Sequence, residues 1–201
     1  MAPPRKHDTD RILDAARALV LRDGPRAAGV AAIAAESGAP VGTLYHRFGN
    51  RDGVLAAAWL RALERFQARC LEAAGSAAEP LESGVAMAVS IVAFARELPE
   101  DAQLLLSLRR DDLLDAAPGP EARVRLEEIN APLEEELRRV ARELGGRADA
   151  RTMDAVTRAV VDLPYATLRR HARQRELPGW LEEDTASAAR KLLELAVPRR
   201  P

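Results

Sequence analysis

Residues 29–51 read GVAAIAAESGAPVGTLYHRFGNR, and this stretch decides the fold. Val30, Ile33 and Ala34 recur at helical spacing before Gly38, and Leu44 and Phe48 do so after Pro40. Glycine ends a helix readily because left-handed backbone costs it nothing. Proline in a first turn sacrifices no helical hydrogen bond. The spacing therefore predicts one short helix over Val30–Ser37 and another from about Val41 to Arg47. Gly49-Asn50 is turn chemistry, and Asn50 suits the N-cap of a further helix. Two short helices around a tight glycine turn make a helix-turn-helix, whose second helix enters the major groove of DNA. Once the apolar residues face inward, Thr43, Tyr45, His46 and Arg47 are left for the outer face. Hydroxyls and backbone amides take phosphate oxygens, and arginine takes phosphate or guanine. Arg51 opens the next helix, where the dipole also favours an anion. Arg5 and Arg26 are further basic residues within reach of a DNA backbone. The bland alternative is a three-helix bundle that touches no DNA, with Tyr45 half-buried and His46 merely solvated.

The rest of the chain extends the same helical pattern in both directions. Upstream, a helix capped near Asp8 or Thr9 carries Ile12, Leu13, Ala16, Leu19 and Val20 as one stripe and stops at Gly24-Pro25. Downstream, a long helix from about Arg51 to Ala74 lines Leu55, Ala58, Trp59, Ala62, Phe66 and Cys70 along one side. Further helices are expected over Leu81 to Leu98, from Pro99 onward, and over Glu121 to Leu144 with a kink at Pro132. Two more are expected over Asp149 to Arg173, interrupted at Pro164, and over Leu181 to Val197. Ala116 to Pro120 is the clearest linker. The expectation is an all-α chain of about nine helices. A three-helix head over residues 1–52 precedes a helical domain over 53–201.

Composition bounds the function. Thirty basic and 31 acidic side chains leave a net charge of −1, which excludes coating of nucleic acid by charge alone. Residues 1–52 hold eight basic and six acidic side chains, a net +2, and the remainder is −3. A modest basic head on an acidic body fits a protein that docks on DNA by one end. Apolar residues make up 47% and charged residues 30%, which excludes bulk disorder. The single cysteine, Cys70, excludes an internal disulfide framework. No apolar stretch follows the basic start, and no apolar run approaches the roughly 20 residues that span a bilayer. A cytoplasmic protein without a membrane segment is expected.

The head resembles the DNA-binding domain of the tetracycline-repressor (TetR) family. The likeness is carried by Ile33, Ala34, Gly38, Gly42, Thr43, Leu44, Tyr45, Phe48 and Arg51, with Ile12, Ala15, Ala16 and Gly24 fitting the first helix. It covers about the first quarter of the chain. The resemblance implies an all-α homodimer that binds operator DNA. It also implies a divergent second domain that takes a small-molecule effector, whose binding spreads the two heads and releases the operator. Val41, Gly42, Thr43, Tyr45, His46, Arg47 and Arg51 are the implied DNA-binding residues. Three departures matter. Gly29 stands where serine or threonine is common, Pro40 and Val41 replace polar residues at the turn, and Arg51 replaces a lysine. Docking geometry is expected to carry over and base preference is not. Val41 is instead suited to a thymine methyl.

An effector pocket between helices of the second domain is expected to draw on Trp59, Phe66, Met87, Phe94, Leu105, Arg109, Asp162 and Tyr165, each of which equally suits ordinary core or surface. Two apolar stripes suit a four-helix dimer interface or the chain's own core. They comprise Val156, Val160, Leu163 and Leu168, then Leu181, Ala189, Leu192, Leu193 and Ala196. No nucleophile elbow, phosphate loop or dinucleotide fingerprint is present, so no enzyme activity and no cofactor are expected. His7, His46 and His171 are far apart in sequence, so no metal site is expected. The expected function is a sequence-specific transcriptional regulator, a repressor released by an effector. The alternatives are a regulator controlled by a protein partner with no small ligand, and a helical enzyme or adaptor that keeps the head as scaffold.

Overall fold

The computed structural model describes residues 6–171 and 176–197, and these are helical throughout, with no strand. Arg5 and the expected helix end at Arg173 lie outside them. The chain forms α1 (Lys6–Asp23), a single 3-10 turn (Pro25–Ala27), α2 (Val30–Ser37), α3 (Val41–Phe48) and α4 (Arg51–Gly75). There follow α5 (Pro80–Glu97), α6 (Pro99–Ser107), α7 (Arg110–Asp115), α8 (Pro120–Glu128) and α9 (Ala131–Gly145). The last elements are α10 (Ala150–Thr157), a π turn (Arg158–Asp162), α11 (Leu163–His171) and α12 (Leu181–Glu194).

Two expected helices are each divided in two, and a third, expected to break at Pro164, instead runs on through a π turn. The helix from Pro99 stops at Ser107, the chain turns extended at Arg109, and the Leu108 carbonyl at this break accepts the indole N–H of Trp59 at 3.1 Å. Pro132 does not kink a helix. It stands in the first turn of α9, where proline has no helical hydrogen bond to lose, so the chain restarts there. Pro164 cannot donate to the carbonyl four residues back, and the chain widens into the π turn immediately before it. At the start, α1 begins at Lys6, so neither Asp8 nor Thr9 caps it. The Thr9 hydroxyl serves another partner, described below. Pro40 is the N-cap of α3 and not a residue of its first turn, and its carbonyl accepts the Thr43 amide at 2.9 Å.

The helices gather into two compact units. The first comprises the chain up to Glu64 with Glu100–Ile129, and the second comprises Arg65–Pro99 with the chain from Asn130 onward. In the first unit a single apolar cluster joins Ile12, Ala16 and Leu19 of α1, Ile33 of α2, Leu44 of α3 and Val54, Leu55 and Trp59 of α4 to Leu104, Leu113 and Leu126. Helices α6 to α8 therefore share a core with the three-helix head. In the second unit Cys70, Val85, Met87, Val140, Val156, Val160 and Leu193 form the core. The two stripes weighed for a dimer interface belong here. Val156, Val160, Leu168, Leu181, Ala189, Leu193 and Ala196 are buried within one chain, and Leu163 and Leu192 are half-buried. They close this unit's own core, because period-3.6 stripes on neighbouring helices bury most apolar surface against one another. Among the described residues no helix is long and apolar enough to cross a membrane.

Candidate nucleic-acid interface

The outer surface of the head is set by how α2, α3 and α4 are joined. Gly38 ends α2 at φ 70°, a left-handed conformation that suits glycine. The Ser37 hydroxyl accepts the Ala39 amide at 3.3 Å, which tightens the same turn. Leu44, 1% exposed, pins α3 to the core, with Val30 and Phe48 packed beside it. At the other end Asn50 caps α4, accepting the Gly53 amide at 2.7 Å. Gly53 is needed there, since a Cβ at that position would meet the Phe48 carbonyl oxygen at 1.9 Å. The end of α3 is thus locked against the start of α4.

With one face of α3 pinned, the other is open. Val41, Gly42, Tyr45 and His46 are exposed, and Thr43 and Arg47 are half-buried. Tyr45 and Val41 keep 53% and 42% of their surface exposed. Arg47 donates Nη1 to the Thr9 hydroxyl of α1 at 2.9 Å. Arg51 is more committed than its position at a helix start suggests. Its Nε donates to the Ala28 carbonyl at 3.1 Å, Nη1 pairs with Asp52 at 2.6 Å, and Nη2 donates to the Pro25 carbonyl. It clasps α4 to the 3-10 turn. Arg22 is spent on carboxylates, and its pairing with Asp23, then with Glu36, holds its guanidinium pKa above the ordinary value. Arg26 is exposed.

A cleft of about 270 Å³ lies at the turn itself, lined by Arg11, Ser37, Gly38, Ala39, Pro40, Thr43 and Arg47. The sequence reading missed Arg11. Its guanidinium Nη2 lies 3.6 Å from where a Gly38 Cβ would stand, so it reaches over the turn from α1. The available signal was its place beside Ile12, on the outer side of the α1 stripe. Two guanidinium-bearing residues and a hydroxyl converging on one cleft form a surface suited to phosphate.

The residues expected to line an effector pocket are shared between the two units. Trp59, Leu105 and Arg109 belong to the first unit, and Phe66, Met87, Phe94, Asp162 and Tyr165 to the second. Phe66 and Phe94 meet edge to face at 5.5 Å, and the Arg69 guanidinium lies over the Phe94 ring at 5.9 Å. Met87 and Phe94 are core residues, while Arg109, Asp162 and Tyr165 are exposed. Among the described residues no group of three His, Cys, Asp or Glu side chains is placed to hold a metal.

Residues 12–58, which span this head, match the family described as "Bacterial regulatory proteins, tetR family". The match covers residues 12–58 only, so the likeness to the tetR family is one of the head. Solved regulator chains match it over nearly their whole length. The fatty acid degradation regulator FadR from Bacillus halodurans is 18% identical with a TM-score of 0.72, over 96% of this chain and 97% of that one. The tetR-family transcriptional regulator PfmR from Thermus thermophilus is 23% identical with a TM-score of 0.67, over 95% and 100%. FadR from Bacillus subtilis, solved in complex with stearoyl-CoA, is 18% identical with a TM-score of 0.61, over 94% and 97%. At these identities the likeness is one of fold. No curated protein sequence matches the chain. The matched head is the helix-turn-helix described above, and the whole chain has a tetR-like fold.

Proposed function

We propose that two copies of this chain bind a roughly palindromic operator as a repressor, and that a small-molecule effector releases it. The observation that carries this reading is the outward face of α3, where Val41, Tyr45 and His46 stand exposed on a helix pinned at Leu44. Val41, Gly42, Thr43, Tyr45 and His46 are assigned to the major groove, and Arg11, Arg47 and Arg51 to phosphates. Two half-sites one helical turn or a multiple apart follow from a two-fold dimer. The dimer contact falls to surface the second unit leaves open, where Tyr165, Trp180 and Leu195 are 44%, 54% and 56% exposed. A long-chain acyl-CoA is the first effector to test, since a regulator of the same fold was solved with stearoyl-CoA. Selection of duplexes from a random pool, followed by gel shift, tests the DNA reading. A selected duplex shifted at low salt and released by competitor of the same sequence supports it. No shift at low salt would sink it. Acyl-CoA added to the bound complex then tests release.

A further inference from the structure

A line of ion pairs centred on two largely buried arginines runs along one face of α1. Asp101, in the first turn of α6, is 1% exposed and accepts Nη1 of Arg17. Nη2 of Arg17 lies 2.7 Å from Glu100 and 3.4 Å from Asp14. Asp14 also takes Nη2 of Arg61, from α4, at 2.6 Å. Nη1 of Arg61 reaches the Asp10 carboxylate at 3.1 Å. The next residue, Thr9, accepts Arg47 of α3 at 2.9 Å. Asp10, Asp14 and Arg17 are spaced four and three residues apart, so they share a face. Contacts pass from α6 through α1 to Arg61 of α4, and the adjacent α1 residue, Thr9, takes up Arg47 of α3.

This is a costly way to hold helices together. The side chains of Arg17 and Arg61 are only 14% and 13% exposed, and the Nε of each is buried with no hydrogen-bond partner. Buried ions forfeit hydration, and apolar residues of similar volume often hold a fold as well or better. What a paired guanidinium adds is direction. Its planar fork accepts a carboxylate in few geometries, so it fixes the rotation and register of one helix against another. Apolar packing tolerates small slips.

We propose that Arg17, Asp101 and Arg61 are positioning residues for DNA binding. They hold α1 at one register, and through Thr9 and Arg47 that register sets the aim of α3. The proposal deepens the DNA-binding reading and rests on it for its affinity readout. The test compares the full-length chain with the double variant Arg17→Met with Asp101→Leu, and with Thr9→Val. Each is assayed for its melting temperature, for amide exchange of residues 41–48, and for affinity toward a duplex selected with the wild-type chain. The double variant is expected to melt no lower than wild type, to exchange faster in α3, and to bind about tenfold weaker, the scale of one misplaced base contact. Thr9→Val, which buries no orphaned charge, is expected to show the same exchange and affinity changes with its melting temperature unmoved. Should the double variant fail to fold, Thr9→Val decides alone. If affinity and α3 exchange both stay at wild-type values, or change only in step with melting temperature, the proposal is overturned. If wild type selects no duplex, the regulator reading fails, and the exchange of α3 still decides whether the relay exists.

Discussion

Cys70 and Arg51 show how much a single side chain's surroundings govern. Cys70 is buried in the second unit, and burial raises its thiol pKa from 9.0 to about 11. A thiol that stays neutral is a poor nucleophile. Folded protein at pH 8 is expected to leave Cys70 unmodified by iodoacetamide, with full alkylation once denaturant unfolds it. Rapid alkylation of the folded chain would refute the burial. The linkage has a definite sign. A thiol whose folded pKa lies above its unfolded value stabilises the fold fully below the unfolded value. That contribution is lost as pH rises through the folded value near 11. Arg51 carries two roles that separate experimentally. Arg51→Ala removes the clasp on the Pro25 and Ala28 carbonyls and is expected to lower the melting temperature. If Arg51 also meets a phosphate, affinity falls for every duplex alike, and the slope of log affinity against log salt shrinks by about 1. A fall in stability with the slope unchanged would leave Arg51 as a clasp only.

At the level of elements, the junction between α3 and α4 is the most tightly specified part of the head. Gly53→Ala places a methyl group where the Phe48 carbonyl stands, so α3 or α4 must move. Overpacking of this kind costs about 1–3 kcal/mol, and the expected result is a lower melting temperature with DNA affinity reduced even where the chain remains folded. Leu44→Ala leaves a void beneath the recognition helix, and truncation of a buried leucine costs about 2–5 kcal/mol, read as a drop in the urea midpoint. Wild-type midpoints for either variant would show that α3 is held by something other than its packed face. These short helices were legible because their ends are written locally. Gly38, Pro40 and Asn50 act through their own backbone or side chain within a few residues. The divisions at Leu108 and Pro132 were not. The break at Leu108 carries a bond to Trp59, 49 residues away in sequence, and no local pattern announces that partner.

At the scale of the whole molecule, the net charge of −1 matters less than its division. On the proposed reading, a head with little excess positive charge must gain its affinity by fit and by pairing two copies. Sedimentation equilibrium at micromolar concentration is expected to give the mass of two 21.8 kDa chains. Variants with charge added at Tyr165 and Leu195 should sediment as monomers and bind the selected duplex far more weakly. A wild-type monomer that binds at full affinity would remove the dimer from the mechanism. The candidate site divides along the same line. Residues of α3 were legible because a helix-turn-helix sorts inward from outward by spacing alone. For the effector residues the letters alone could not say that Trp59 and Met87 lie in different compact units, since both read simply as apolar.

The sequence by itself determined the helical class, the position of the turn at Gly38, and the face of α3 that Leu44 turns outward. Each follows from propensity, periodicity and turn chemistry acting over a few residues. Tertiary structure alone decided that α6 to α8 share a core with the head, that the stripes of α11 and α12 close their own unit, and that Arg17 of α1 meets Asp101 of α6. Those outcomes depend on which distant surfaces meet once burial of apolar area is satisfied, and burial does not specify its partners by letter.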